Sequence, residues 1–186
     1  MFFMTKGKGK HKGSSFERQF CKKISLWWTK GERDDIFWRT SISGGRATVR
    51  AKQGKTTKGQ YGDVAATDPL GVPLTELCVI ELKCGYGKSS VGDYMDGTSK
   101  SMIERWVEQV NEDAKKGDIP FWFLVTKRDR KKVLISMPFL LVDKLLGEVR
   151  TEPVEMVHYW KDIVFSTFRL DDFLVVVSSE DIKNVE

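Results

Sequence analysis

Apolar positions recur along this chain at two different periods, and the period identifies each element. Phe16, Phe20, Ile24, Trp27 and Trp28 fall at helical spacing, which predicts a helix near 15–29. Ser14 followed by Glu17 fits a capping box at its start, leaving Arg18, Lys22 and Lys23 outward or along its flank. Ile36-Phe37-Trp38-Arg39 predicts a first strand. A second helix is expected near 102–116, where Ile103, Trp106, Val107, Val110 and Ala114 form a stripe, Ser101 and Glu104 a capping box, and Gly117 the end. Phe121 to Val125 reads as a buried strand, Lys127 to Lys131 as a basic turn, and Val133 to Ser136 as the partner strand. Pro138 to Leu146 suits a short helix with proline at its start and Gly147 beyond its end. Ile163-Val164-Phe165 is strand-like; Phe173 to Val177 fits a strand or a helix. Helix, strands, helix, strands predicts a single α/β or α+β domain around a mixed sheet, with no internal repeat.

The most informative stretch is Leu77-Cys78-Val79-Ile80-Glu81-Leu82-Lys83. Strand side chains alternate faces, so Glu81 and Lys83 share one after an otherwise apolar run. Upstream stands Gly62-Asp63-Val64-Ala65-Ala66-Thr67, separated by the turn-rich Asp68-Pro69-Leu70-Gly71-Val72-Pro73. An antiparallel hairpin about Val72 would set Asp68 against Glu76 and Asp63 against Glu81. Two carboxylates and an ammonium would then converge at one sheet end. That combination is a divalent-metal site with a lysine beside it, suited to hydrolysing a phosphodiester.

Charge sharpens this picture. The chain of 186 residues carries a net +5, but residues 1–60 hold 15 Lys/Arg against 4 Asp/Glu while the remainder holds 16 against 22. A basic first third suits a polyanion, nucleic acid ahead of an anionic membrane. Residues 1–12 are expected to be a disordered basic tail. Residues 40–61 hold four glycines, five basic residues and no acidic one, and read as a loop able to close over a duplex or as an ordinary surface insertion. Arg46, Arg50, Lys52, Lys55 and Lys58 there, with Arg18, Lys22, Lys127 and Arg130, are the phosphate-contact candidates. No apolar run approaches the roughly 18 residues that span a bilayer, so no membrane role is expected. Cys21, Cys78 and Cys84 lack zinc spacing and fit a reducing, intracellular setting.

An aspartate opening one strand and Glu81-x-Lys83 on the next resembles the PD-(D/E)xK nuclease superfamily. Gly62 stands where that superfamily has proline. Lys12-Gly13-Ser14-Ser15-Phe16-Glu17-Arg18 resembles the first helix of archaeal-type Holliday junction resolvases, and Arg39-Thr40-Ser41 through Gly44-Gly45 their following loop. The resemblance spans roughly residues 12–137. It implies a restriction-endonuclease-like core with a mixed sheet flanked by helices: a nuclease domain over 13–186, core 13–137 and carboxy-terminal extension 138–186. It also implies Mg2+, with Mn2+ as a substitute, bound by Asp63, Glu81 and the backbone carbonyl of Leu82. A glutamate at position 17 would assist the metal site, in competition with its capping-box role. Gln109 resembles a glutamine near the site in several branches, in competition with a plain exposed helix position.

Lys83 would orient and polarise the attacking water and offset charge in the transition state. The resulting expectation is a metal-dependent DNA endonuclease of phage or mobile-element type, acting on a Holliday junction or other branched DNA as a homodimer. A restriction-type endonuclease or an exonuclease on the same core, and a non-catalytic nucleic-acid-binding module, are the alternatives. Gly85-Tyr86-Gly87-Lys88-Ser89 fails as a phosphate loop because Leu82 occupies the required first glycine. Asp93 and Asp96 lack the remaining ligands of a calcium loop. His11 and His158, the only histidines, sit near no plausible nucleophile or ligand set, and His158 reads as a packed strand residue.

Overall fold

A 21-residue helix, α1 (Lys8–Trp28), runs along one side of the molecule, with Phe16, Phe20, Cys21, Ile24 and Trp28 buried on one face. The computed structural model describes residues 8–40, 61–85, 102–147 and 156–185, the side chains of 8–12 excepted. α1 begins well before the expected position near 15 and takes in residues 8–12 of the proposed tail, because a nucleated helix gains a backbone bond with each added residue. Residues 1–7 and the segment 41–60, with Arg46, Arg50, Lys52, Lys55 and Lys58, lie outside the described residues.

After α1 come β1 (Phe37–Arg39), β2 (Val64–Ala66), a 3-10 turn (Pro69–Gly71), α2 (Val72–Leu77) and β3 (Cys78–Cys84). These are followed by α3 (Met102–Gly117), β4 (Phe121–Lys127), β5 (Val133–Pro138) and α4 (Phe139–Leu146). β6 (Met156–Trp160), β7 (Ile163–Arg169), α5 (Leu170–Val176) and α6 (Ser179–Lys183) complete the described elements. Phe173 to Val177 is thus largely helical, and Val175 is exposed.

The main sheet has the order β3-β4-β5-β7-β6. β3 and β4 are parallel, joined across α3, and the other neighbours are antiparallel. Strands covered on both faces read as continuous apolar runs, which is why 78–80 and 121–125 show no alternation. One face packs Ile80, Leu82, Phe123 and Val125 against α1 and α5; the other packs Val79, Trp122, Leu124 and Phe165 against Trp106, Val107 and Val110 of α3. The fold is a mixed α/β domain, and β7 lies inside the sheet between β5 and β6, so the carboxy-terminal segment is part of the core.

The expected hairpin about Val72 does not form. β2 pairs with β1 instead (Phe37↔Ala66, Trp38↔Ala65, Arg39↔Val64). The supposed turn is helical: the Asp68 carboxylate accepts from Leu70 N–H at 2.9 Å, and Pro69 and Pro73 occupy first-turn positions. A missing N–H costs nothing there, so prolines that read as a turn act as helix starts. Glu76 lies in α2, and Asp68 pairs with Arg33 at 2.7 Å rather than facing Glu76.

His158 of β6 stacks on Phe165 of β7 (4.6 Å between centroids), and burial lowers the His158 pKa. Trp38 is 42% exposed, unlike the core Trp28, Trp106 and Trp122. Among the described residues no helix is long and apolar enough to cross a membrane.

Candidate active site

β3 is an edge strand of the main sheet, so half of its backbone groups face away from β4. Residues 62–63 fill part of that edge. Asp63 N–H donates to Ile80 C=O at 2.7 Å, and Leu82 N–H donates to Asp63 Oδ2 at 2.8 Å. Those two contacts straddle Glu81 and bring Asp63 beside it, without a hairpin. A strand residue directs its N–H and C=O to the same edge, so the Leu82 carbonyl emerges where Asp63 sits.

Gly62 explains the departure from proline before the aspartate. Its φ is +82°, and a Cβ there would stand 2.5 Å from the Ile80 carbonyl oxygen. Proline cannot adopt that φ and a side chain cannot fit the gap. Thr40 locks the segment from the other side, its N–H donating to Asp63 C=O at 2.9 Å and its hydroxyl to Gly62 C=O at 2.9 Å.

Glu81 and Lys83 share the α3 face of β3, as the strand period requires. Glu81 is 6% exposed and pairs with the Lys83 ammonium. Gln109 on α3 bridges both, donating from Nε2 to Glu81 Oε1 at 3.3 Å and accepting from Lys83 Nζ at 3.4 Å. Gln109 is an exposed helix position, and its amide nevertheless reaches the pair.

Burial pushes the Asp63 carboxyl up to about 7, reinforced by the neighbouring Glu81 carboxylate. The Leu82 N–H, the Lys83 ammonium and, in the opposite sense, the Glu17 charge act more weakly. An acid held this way gains from a nearby cation. Among the described residues no group of three or more His, Cys, Asp or Glu could hold a metal ion. The oxygens that could hold one here are those of two carboxylates, Asp63 and Glu81, and the Leu82 carbonyl, all hard donors of the kind that suit an ion keeping several waters.

Glu17 does not close the anticipated capping box, since Ser14 lies inside α1 and the Glu17 carboxylate takes Arg39 Nη1 at 3.3 Å. Its charge reaches Asp63 and Cys21. Cys21 itself is pushed up to about 12, mainly by burial, and is a packed thiol. Arg18 is exposed, while Lys22 forms an ion pair with Asp34 at 2.8 Å. The sequence assigned no site role to Arg39 or to Asp113, which binds Gln109 and feels Lys83. Asp113 lies four residues after Gln109 on α3, a spacing that puts both on one helix face. Arg39 carried no local signal, because its link to Glu17 crosses between α1 and β1.

No curated protein matches the chain, and no solved structure does. The family model described as "Phage putative PDDEXK endonuclease" matches residues 8–184, nearly the whole chain and far beyond the stretch of the resolvase resemblance. The five-stranded mixed sheet with flanking helices is the restriction-endonuclease-like fold of the PD-(D/E)xK superfamily. With the match extending from α1 through α6, the chain belongs to this PDDEXK endonuclease family.

Proposed function

We propose that the protein is a divalent-metal-dependent endonuclease that hydrolyses DNA phosphodiesters with Asp63, Glu81 and Lys83. The supporting observation is the half-buried Asp63 held on the edge of β3 beside the buried Glu81, with Lys83 and Gln109 in contact with Glu81. Asp63, Glu81 and the Leu82 carbonyl would hold Mg2+, with Mn2+ as a substitute. A bound ion supplies charge relief on the phosphoryl oxygens and a more acidic water.

The chain's own groups do the rest. Asp63 must lose its proton before it can serve as a ligand. Lys83 Nζ holds the attacking water and balances negative charge as the phosphorus centre becomes crowded. Gln109 keeps Lys83 and Glu81 in register, and Glu17, fixed by Arg39, adds negative charge that helps hold the ion. A branched-DNA preference rests on the resemblance of the first helix to resolvases and on Glu17 lying within electrostatic reach of Asp63, and a homodimer follows from that reading alone, because a resolvase must cut two symmetric strands.

Purified protein incubated with Mg2+, Mn2+ or EDTA and labelled linear, flap and four-way DNA tests this. Symmetric nicks near the branch point support a resolvase, discrete cuts in linear duplex a restriction-type enzyme, and end-derived ladders an exonuclease. Folded protein that cuts none of them with either ion sinks the proposal.

A further inference from the structure

One residue from Glu17, α1 opens into a groove of about 280 Å3 with Phe16 among its apolar walls. Among the described residues Lys23, Lys127, Lys131 and Lys132 line it, with Asp171 as the one carboxylate. Asp171 pairs with Lys23 and lies 3.9 Å from Lys132 Nζ. Lys127 Nζ stands 5.8 Å above the Phe16 ring. Four ammonium groups around one concavity repel one another, and one carboxylate offsets that only in part. The arrangement suits an anionic occupant.

The groove lies on the α1 and α5 face of the sheet, opposite the α3 face that carries Glu81 and Lys83, and the two meet around the carboxy-terminal ends of β3 and β4 by two routes. Phe16 precedes Glu17 on α1. In the sheet, Lys127 pairs with Cys84, the residue after Lys83, and Gly85 N–H donates to Lys127 C=O at 3.0 Å. Lys131 and Lys132 lie in the turn to β5, two strand spacings or about 10 Å from β3. Successive phosphates of one duplex strand advance about 3.4 Å along its axis, so a strand that crosses the acid site and passes around the ends of β3 and β4 reaches the groove within several nucleotides.

We infer that this groove is a phosphate-backbone subsite for the DNA strand leading away from the scissile bond. Lys131, Lys132 and Lys23 contact its phosphates. Asp171 holds Lys23 and Lys132 in the free protein and gives them up as the strand binds. No base edge is read here, because lysines meet phosphates as point charges. This subsite rests on the endonuclease reading.

The test is binding of a labelled 30-base-pair duplex in EDTA across a salt series. Each lost phosphate contact flattens the plot of log affinity against log salt by about 0.9. Lys131→Gln/Lys132→Gln is expected to flatten it by about 1.8 and to weaken binding on the order of tenfold at low salt. Asp171→Asn is expected to tighten binding. Lys115→Gln/Lys116→Gln, at the far end of α3, removes the same charge and is expected to leave the slope unchanged. All four lysines are exposed, so melting temperatures should match wild type.

A Lys131→Gln/Lys132→Gln slope equal to wild type, or an equal loss from Lys115→Gln/Lys116→Gln, overturns the subsite while the nuclease reading stands. Wild-type protein that neither binds nor cuts the duplex overturns the nuclease reading itself.

Discussion

Gly62, Asp63 and Lys83 each do something that a near substitute cannot. Gly62→Ala sets a methyl against the Ile80 carbonyl in a left-handed conformation, and is expected to cost about 1–3 kcal/mol and displace Asp63. Chemical denaturation should show that loss together with loss of cleavage; an unchanged midpoint would contradict the close approach. Lys83→Ala is expected to lower cleavage by about 100-fold or more while DNA binding persists, since it removes charge balance rather than affinity. Equal losses in binding and cutting would assign Lys83 to the DNA interface instead.

Asp63 also sets a pH dependence. Its folded pKa, near 7, lies above the unfolded value of about 3.9, so protonation favours the folded state. That contribution is complete below about pH 4 and lost as pH rises through 7. Metal requires the ionised form, so the ion competes with the proton, and its affinity should climb between about pH 5 and 7 and level off above. Thermal melting with and without Mg2+ should therefore show the metal-dependent gain growing over that interval. Asp63→Asn should abolish the trend; a gain that shrinks with rising pH would rule the account out.

At the scale of elements, periodicity was legible wherever an element buries one stripe or one run. The stripe of α3 and the apolar runs of β3 and β4 stand where their patterns put them. The failure came at 68–77, where proline and glycine permit both a reverse turn and a helix start, and packing chose the helix. Leu74 buries completely and Gly71 lies under Ile36 and Phe37, contacts that no local pattern contains. Asp63 and Glu81 still meet, through Asp63 bonding to the edge of β3.

The helix over Phe173 was likewise ambiguous from a five-residue apolar run, and its role in the core is testable. Phe173 is buried and meets Phe123 and Phe168 at about 6 Å between centroids (6.1 and 6.0 Å). Phe173→Ala is expected to cost about 3–5 kcal/mol in denaturant unfolding. A loss under about 1 kcal/mol would make α5 a surface appendage.

Across the whole molecule, the carboxy-terminal segment supplies β7 to the middle of the sheet and cannot be an optional extension. Truncation after residue 138 would uncover β5 along its length, and the product is expected to be insoluble or unfolded by circular dichroism. A stable, cooperative fragment would show that the first three strands of the main sheet fold without the last two. The basic charge of the first third is partly consumed by ion pairs, such as Lys22 with Asp34 and Arg33 with Asp35 and Asp68. Composition counted those charges without seeing their partners.

The sequence by itself determined the local quantities: a helical face on α1 and α3, buried parallel strands, and a strand that presents Glu81 and Lys83 together. Each follows from a fixed backbone period acting over a few residues. Only the tertiary structure decided that Asp63 reaches β3 through its edge, that Gly62 must be glycine there, that Gln109 crosses from α3, and that Arg39 holds Glu17. Those relations join residues 17 to 28 positions apart through contacts whose geometry depends on the whole packed sheet, and no local pattern encodes them.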